Sequence, residues 1–306
     1  MKKDLLSEFD LEQDDWDRLF DRARFIKEKN RKGETYHPLK GKTLGMIFDK
    51  SSTRTRLSFE VGMYQLGGMA LFLSSRDTQI GRGEIVADTA RIMSRYLDGI
   101  MIRTFSQETV EEFARYASIP VINGLTDLLH PCQILSDLFT ILERLGAYAD
   151  VKIAYVGDGN NIANSWINAA AKLPIHLSLS CPEGYDPDPE ILARCRGEAP
   201  YPVTLHRDPA AAVDGAHILY TDVWASMGQE AEQVVRAEVF QNYRIDARLL
   251  SLASPDALVM HCLPAHRGEE ITADVIDGDR SIVFDQAENR LHVQKAIMDM
   301  LMKGDQ

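Results

Sequence analysis

Short apolar runs rich in β-branched residues alternate with stretches of helical period along nearly the whole chain. A leading helix is predicted over 11–29. Runs at 43–48, 69–73, 99–103 and 119–123 follow it, with helical patterns between them at 53–66, 86–97 and 109–117. After His130, residues Ile134, Leu135, Leu138, Phe139, Ile141, Leu142 and Leu145 fall on one helix face. A second series opens at Val151–Val156 and continues with runs at 175–179, 202–205, 216–220, 257–261 and 281–284. Its helical stretches lie at 161–172, 187–194, 230–242 and 287–302. Strands separated by helices of this length pair in parallel through right-handed βαβ crossovers. The pattern therefore predicts an α/β protein of two domains, each a parallel sheet flanked by helices. The divisions expected are 1–133, 134–286 and a C-terminal helix over 287–306. No Pro/Gly/Ser-rich linker separates the two series, so the helix after His130 is expected to join them.

Composition narrows the class. The 306 residues are 45% apolar and 26% charged, ordinary for a globular protein. No apolar run approaches the roughly 20 residues of a membrane span. The opening Met1-Lys2-Lys3-Asp4 has no apolar stretch behind it of the kind a secretion signal needs, so a cytoplasmic location is expected. A net charge of −12 argues against nucleic-acid or anionic-membrane partners. Against that acidic background Lys50, Arg54, Arg56, Arg76, Arg82 and Arg103 cluster in one third of the chain, which points to a local anion site. Cys132, Cys181, Cys195 and Cys262 show no paired spacing for zinc or a disulfide framework.

In open α/β sheets ligands bind beyond the carboxyl ends of the strands, so the residues there are the site candidates. Ser51-Ser52-Thr53-Arg54-Thr55-Arg56 joins the first strand to a helix. Free N–H groups, hydroxyls and two guanidinium forks at a helix start suit a phosphate. A Ser/Thr-capped surface helix with solvated arginines is the plainer alternative. Arg103 ends another strand, and His130-Pro131-Cys132-Gln133 opens a helix. Gly157-Asp158-Gly159-Asn160-Asn161-Ile162 begins like a dinucleotide fingerprint but lacks the third glycine, so a tight strand-to-helix turn is the better reading. Asp222, followed by Ser226-Met227-Gly228, can meet an ammonium group. His261-Cys262-Leu263-Pro264 ends a strand with a step where a cis peptide is plausible.

In this order and over nearly the whole chain, these motifs, with Gln79 and Ala287-Glu288-Asn289-Arg290, resemble the aspartate/ornithine carbamoyltransferase superfamily, most closely its ornithine-using members. The resemblance implies two parallel α/β domains with the closing helix packed back on the first. It also implies a homotrimer with sites at subunit boundaries, and no metal or cofactor. Carried over, Ser52, Thr53, Arg54 and Thr55 hold the phosphate of carbamoyl phosphate. Arg103, His130 and Thr55 polarise its carbonyl. Gln133, Cys262, the Leu263 backbone and Arg290 contact the carbamoyl portion, and Gln79 arrives from a neighbouring subunit. Asn161, Asp222, Ser226 and Met227 bind L-ornithine, with Cys262 and Asp222 orienting its δ-amine. Other acceptors fit less well: aspartate needs cations for a second carboxylate, putrescine has no carboxylate for Ser226-Met227, and acetylornithine lacks the amine for Asp222. A nicotinamide-dependent dehydrogenase is disfavoured by the incomplete glycine pattern. A non-catalytic carbamoyl-phosphate sensor is disfavoured by the intact amine-facing residues.

Overall fold

The computed structural model describes residues 2–74, 83–225 and 230–303. The chain forms two compact units, Met1–Phe139 with Glu288–Gln306, and Thr140–Ala287.

The first unit is built on β1 (Thr43–Phe48), β2 (Met69–Ser74), β3 (Gly99–Arg103) and β4 (Val121–Leu125). These pair in parallel in the order β2-β1-β3-β4. The helices α1 (Gln13–Arg31), α2 (Thr53–Gln65), α3 (Val86–Tyr96) and α4 (Gln107–Tyr116) precede or connect them. Ile47, Ile100, Ile102 and Val121 from the strands pack with Ala90, Val110 and Phe113 from α3 and α4 into a core. The chain winds outward from β1 to β2, then returns to β3 on the other side of β1. The switch point of this winding lies between β1 and β3.

Two long helices cross the boundary between units. α5 (Pro131–Leu145) starts in the first unit and ends in the second, as expected for the segment after His130. α12 (Val283–Met302) runs the other way, and its second part belongs to the first unit. There it packs against α1, where Lys27 Nζ donates to Asn289 Oδ1 at 2.6 Å and Arg22 reaches Asp299 at 3.1 Å. This is the return of the C-terminal helix to the first domain.

The second unit orders its strands β7-β6-β5-β8-β9, again all parallel. They are β5 (Lys152–Val156), β6 (His176–Ser180), β7 (Thr204–His206), β8 (Ile218–Thr221) and β9 (Leu258–His261). The helices are α6 (Asn161–Lys172), α7 (Pro189–Glu198), α8 (Pro209–Val213), α9 (Gln233–Phe240), α10 (Ala247–Ser251) and α11 (Ala273–Ile276). Here the winding reverses between β5 and β8. The run at 281–284 departs from the sequence reading. Only the stretch around Ser281 pairs with Val259, and the helix begins at Val283 rather than 287. Gln286 N–H already bonds Ile282 O, so Ile282 and Val283 are β-branched residues claimed by a helix start.

Candidate active site

The first unit gathers its candidates at the β1–β3 switch point, where a ligand crevice is expected. Ser52 caps α2: its Oγ accepts the Thr55 N–H at 3.1 Å, a contact that stabilises a helix by about 1 kcal/mol. Accepting that bond leaves its hydroxyl proton able to donate elsewhere. Thr55 is fully buried, and two guanidiniums converge on its Oγ1: Arg290 at 2.7 Å and Arg103 at a long 3.5 Å. Arg103 ends β3, and Arg290 comes from the returning part of α12. His130 precedes Pro131, the first residue of α5, and is 4% exposed. Burial, then the positive charges of Arg290, Arg103 and Arg54, push its pKa well below the ordinary imidazole value. The ring is therefore neutral, and a neutral imidazole donates one hydrogen bond without adding charge. Gln133 is buried, with its amide bonded to Asp137 at 2.8 Å. Burial drives the Cys132 thiol up to about 12, so it is inert.

Not every cation of the cluster faces this point. Arg56 bonds Glu60 at 2.9 Å and covers the Phe72 ring at 4.0 Å, a structural role. Lys50 pairs with Asp127 and lies over the Phe105 ring. Arg76, Gln79 and Arg82 lie outside the described residues, as do Ser226 and Met227.

In the second unit the β5–β8 switch point carries the opposite charge. Asp222, 6% exposed, follows β8. Its carboxylate accepts from Asn160 Nδ2 at 2.9 Å, Val223 N–H at 2.8 Å and Cys262 Sγ at 2.9 Å. Three donors fix the orientation of this carboxylate. Asn160 is also the N-cap of α6, accepting from Ile162 N–H, while Asn161 opens that helix and is half-buried. Asn160 thus both caps α6 and orients Asp222, and an Asn between a strand end and a helix is a legible cap signal. Asp158, after β5, bonds Arg236 at 2.9 Å. Burial raises its carboxyl to about 6 against the pull of Arg236, with Asp222 and Glu232 adding to the rise.

Cys262 and Leu263 follow β9. Leu263 has φ 58°, a left-handed backbone that costs a non-glycine residue about 1–2 kcal/mol, and the Leu263–Pro264 peptide is cis. His261, Asp222 and Cys262 bring potential metal-ligand atoms within 4.8 Å of one another. Both His261 ring nitrogens are already engaged, by Leu263 N–H and by Glu270, so the trio is not a preformed metal cage.

Two doubly wound parallel sheets, one with arginines converging at its switch point and the other with an anchored carboxylate and thiol, are the layout of an α/β enzyme with two ligand crevices. The chain belongs to the aspartate/ornithine carbamoyltransferase family: its carbamoyl-P binding domain matches residues 3–143 and its Asp/Orn binding domain residues 149–301. Among its relatives, the ornithine carbamoyltransferase of Syntrophus aciditrophicus (strain SB) is 72% identical over 302 residues, 99% of this chain and 100% of that protein. Among solved structures, the ornithine carbamoyltransferase from Pyrococcus furiosus is 48% identical with a TM-score of 0.95, covering 99% of this chain and 98% of that one. The anabolic ornithine carbamoyltransferase from Campylobacter jejuni is 40% identical with a TM-score of 0.92, covering 98% and 99%.

Proposed function

We propose that this chain transfers the carbamoyl group of carbamoyl phosphate to the δ-amine of L-ornithine, giving citrulline and phosphate, a step of arginine metabolism. The observation that carries this reading is the opposite charge of the two switch-point clusters. Arginines around Thr55 suit a phosphate and a developing oxyanion, and the fixed carboxylate of Asp222 suits an ammonium group.

Ser52, Thr53, Arg54 and Thr55 bind the phosphate. Arg103, His130 and Thr55 donate to the carbonyl oxygen, while Gln133, Arg290 and the Leu263 backbone hold the carbamoyl portion. Attack by the neutral amine forms a tetrahedral intermediate, and charge grows on the carbonyl oxygen and on the departing phosphate. One preorganised donor at such a position lowers the barrier by about 2.7–4 kcal/mol. A lysine-like amine with a pKa near 10.4 must first lose its proton. At neutral pH that costs about 4.6 kcal/mol at 1.36 per unit. Nearby cations and desolvation reduce the cost, and the leaving phosphate accepts the proton. Asp222 and Asn161, with Ser226 and Met227, bind the amino-acid end. Cys262 orients the amine and is not the nucleophile.

The assembly is read as a homotrimer, with Gln79 serving a neighbouring site. Support comes from an exposed apolar stripe of Leu57, Val61 and Tyr64 on α2, and from Met69 and Phe72 on the edge strand β2. Four free cysteines support a reducing, cytoplasmic compartment. Another carbamoyl acceptor is the second reading, and aspartate is the least favoured because its second carboxylate needs cations where Asp222 stands. A citrulline-forming assay that compares ornithine, N-acetylornithine, putrescine and aspartate tests the choice; turnover of aspartate without ornithine would overturn it. Light scattering at three times the 34.4 kDa chain mass checks the trimer.

A further inference from the structure

Asp137 is fully buried on α5, about one turn beyond Gln133, and the reaction above gives it no part. Residues four apart share a helix face, and here Gln133 Nε2 donates to Asp137 Oδ1 at 2.8 Å. An ionised carboxylate accepts and cannot donate, so the amide presents its NH2 to Asp137. The amide carbonyl is thereby turned the other way. Its oxygen, Oε1, is buried and has no hydrogen-bond partner among the described residues. A buried acceptor left unpaired is costly, and a ligand N–H that reached it would remove the cost.

We propose that Asp137 is a positioning residue: it fixes which end of the Gln133 amide meets the carbamoyl group, so that Oε1 accepts from the carbamoyl NH2. This inference rests on the reading that Gln133 holds the carbamoyl portion. The plainer reading is a buried pair that only stabilises α5. The two differ in whether the pair tells an NH2 from a group of similar size that cannot donate. Phosphonoacetamide keeps the NH2 of carbamoyl phosphate on an unreactive phosphonate, and acetonylphosphonate carries a methyl in its place. Asp137→Asn keeps the side-chain size but can meet either end of the Gln133 amide with a hydrogen bond.

If Asp137 sets the amide, wild type prefers phosphonoacetamide, and the ratio of the two inhibition constants falls about fivefold in Asp137→Asn, the scale of one net hydrogen bond. Inhibition by acetonylphosphonate, which offers Oε1 nothing, stays close to wild type. A purely structural pair would weaken both inhibitors alike. Equal weakening, an unchanged ratio in Asp137→Asn, or a wild type that prefers neither inhibitor would overturn the proposal. Neutron diffraction from a crystal of the perdeuterated wild-type enzyme stands independently of how the variant folds. Two deuterons on the Gln133 atom that faces Asp137 are expected, and a Gln133 carbonyl oxygen facing a deuteron on Asp137 overturns it. A wild-type enzyme that forms no citrulline from ornithine counts instead against the proposed function, so the two failures are distinct.

Discussion

Among the described residues, the charged groups around the switch point of the first unit are Arg54, Arg103 and Arg290; around that of the second they are Asp222 and Asp158, the latter paired with the buried Arg236. Both clusters sit at the carboxyl ends of doubly wound parallel strands, and both are largely buried. Burial acts on each in the direction that charge demands. In the first, a base is held neutral: His130 has its pKa driven down by burial and by three cations. In the second, acids are held protonated more readily: the Asp158 carboxyl rises to about 6 and the Tyr155 phenol well above its usual value, burial leading in each case. The scaffold thus decides where a ligand binds, and the sign of a few side chains decides which ligand. It also explains how a chain of net charge −12 can take an anion: its cations are concentrated where the winding reverses.

The largest test of this contrast is Arg103→Met, which removes a donor to the developing oxyanion. We expect kcat to fall by about 10²–10³-fold. The His130 pKa should rise toward its ordinary value in an NMR titration, because one of its three cations has gone. An unchanged His130 would break the account of the first cluster. Asp222→Asn should come next. Loss of the buried charge opposite an ammonium should lower kcat/KM for ornithine by about 30-fold or more, since truncating one partner of a buried charge pair costs about 2–5 kcal/mol. The KM for carbamoyl phosphate should stay within a few-fold of wild type, and a comparable loss on both substrates would blur the division of labour. Cys262→Ser keeps a donor to Asp222 and should leave turnover within about tenfold, an oxygen donor replacing a weak thiol donor. A trapped carbamoyl-thiol adduct on the wild-type enzyme would instead make Cys262 a nucleophile.

The smallest effect concerns stability. Lys295, buried in the first unit with Gln65 as its partner, has its pKa lowered by burial to about 8. The folded form then binds fewer protons than the unfolded chain between pH 8 and the usual lysine value near 10.4. The associated stability is present above that range and lost as pH falls through 8. Chemical denaturation from pH 7 to 10 should show the unfolding free energy of wild type rising relative to Lys295→Met, by on the order of 3 kcal/mol at full titration. A flat difference would mean that the ammonium is solvated in the native state.

Much of this was legible in the sequence because it depends on local pattern. Apolar alternation gave the two parallel sheets, and strand-end position singled out Ser52–Thr55, Arg103, His130, Asp222 and Cys262. What was not legible depended on contacts distant in the chain. Nothing near Thr55 in sequence shows that Arg290 reaches its hydroxyl, and nothing near Asp222 shows that Asn160 clamps it. The run at 281–284 misled because β-branched residues score as strand whether or not a neighbour has an edge left to pair. Glu270 was invisible for a related reason: an acidic residue between two turns reads as solvated until its partner, nine residues earlier, is seen to be buried with it.

Arg56 entered as a phosphate candidate and ended lying over Phe72, tied to Glu60. Phe72 sits on β2, the edge of the first sheet, in a strand whose apolar side chains are unusually open to solvent. An uncovered apolar edge is a template for the wrong strand, and parallel sheets assemble slowly enough for that to matter. With a charge laid across its ring, Phe72 is a less ready template for mispaired strands before the subunits assemble. Removal of Arg56 should therefore appear in refolding yield and soluble expression, long before it appears in the kinetics of a correctly folded enzyme.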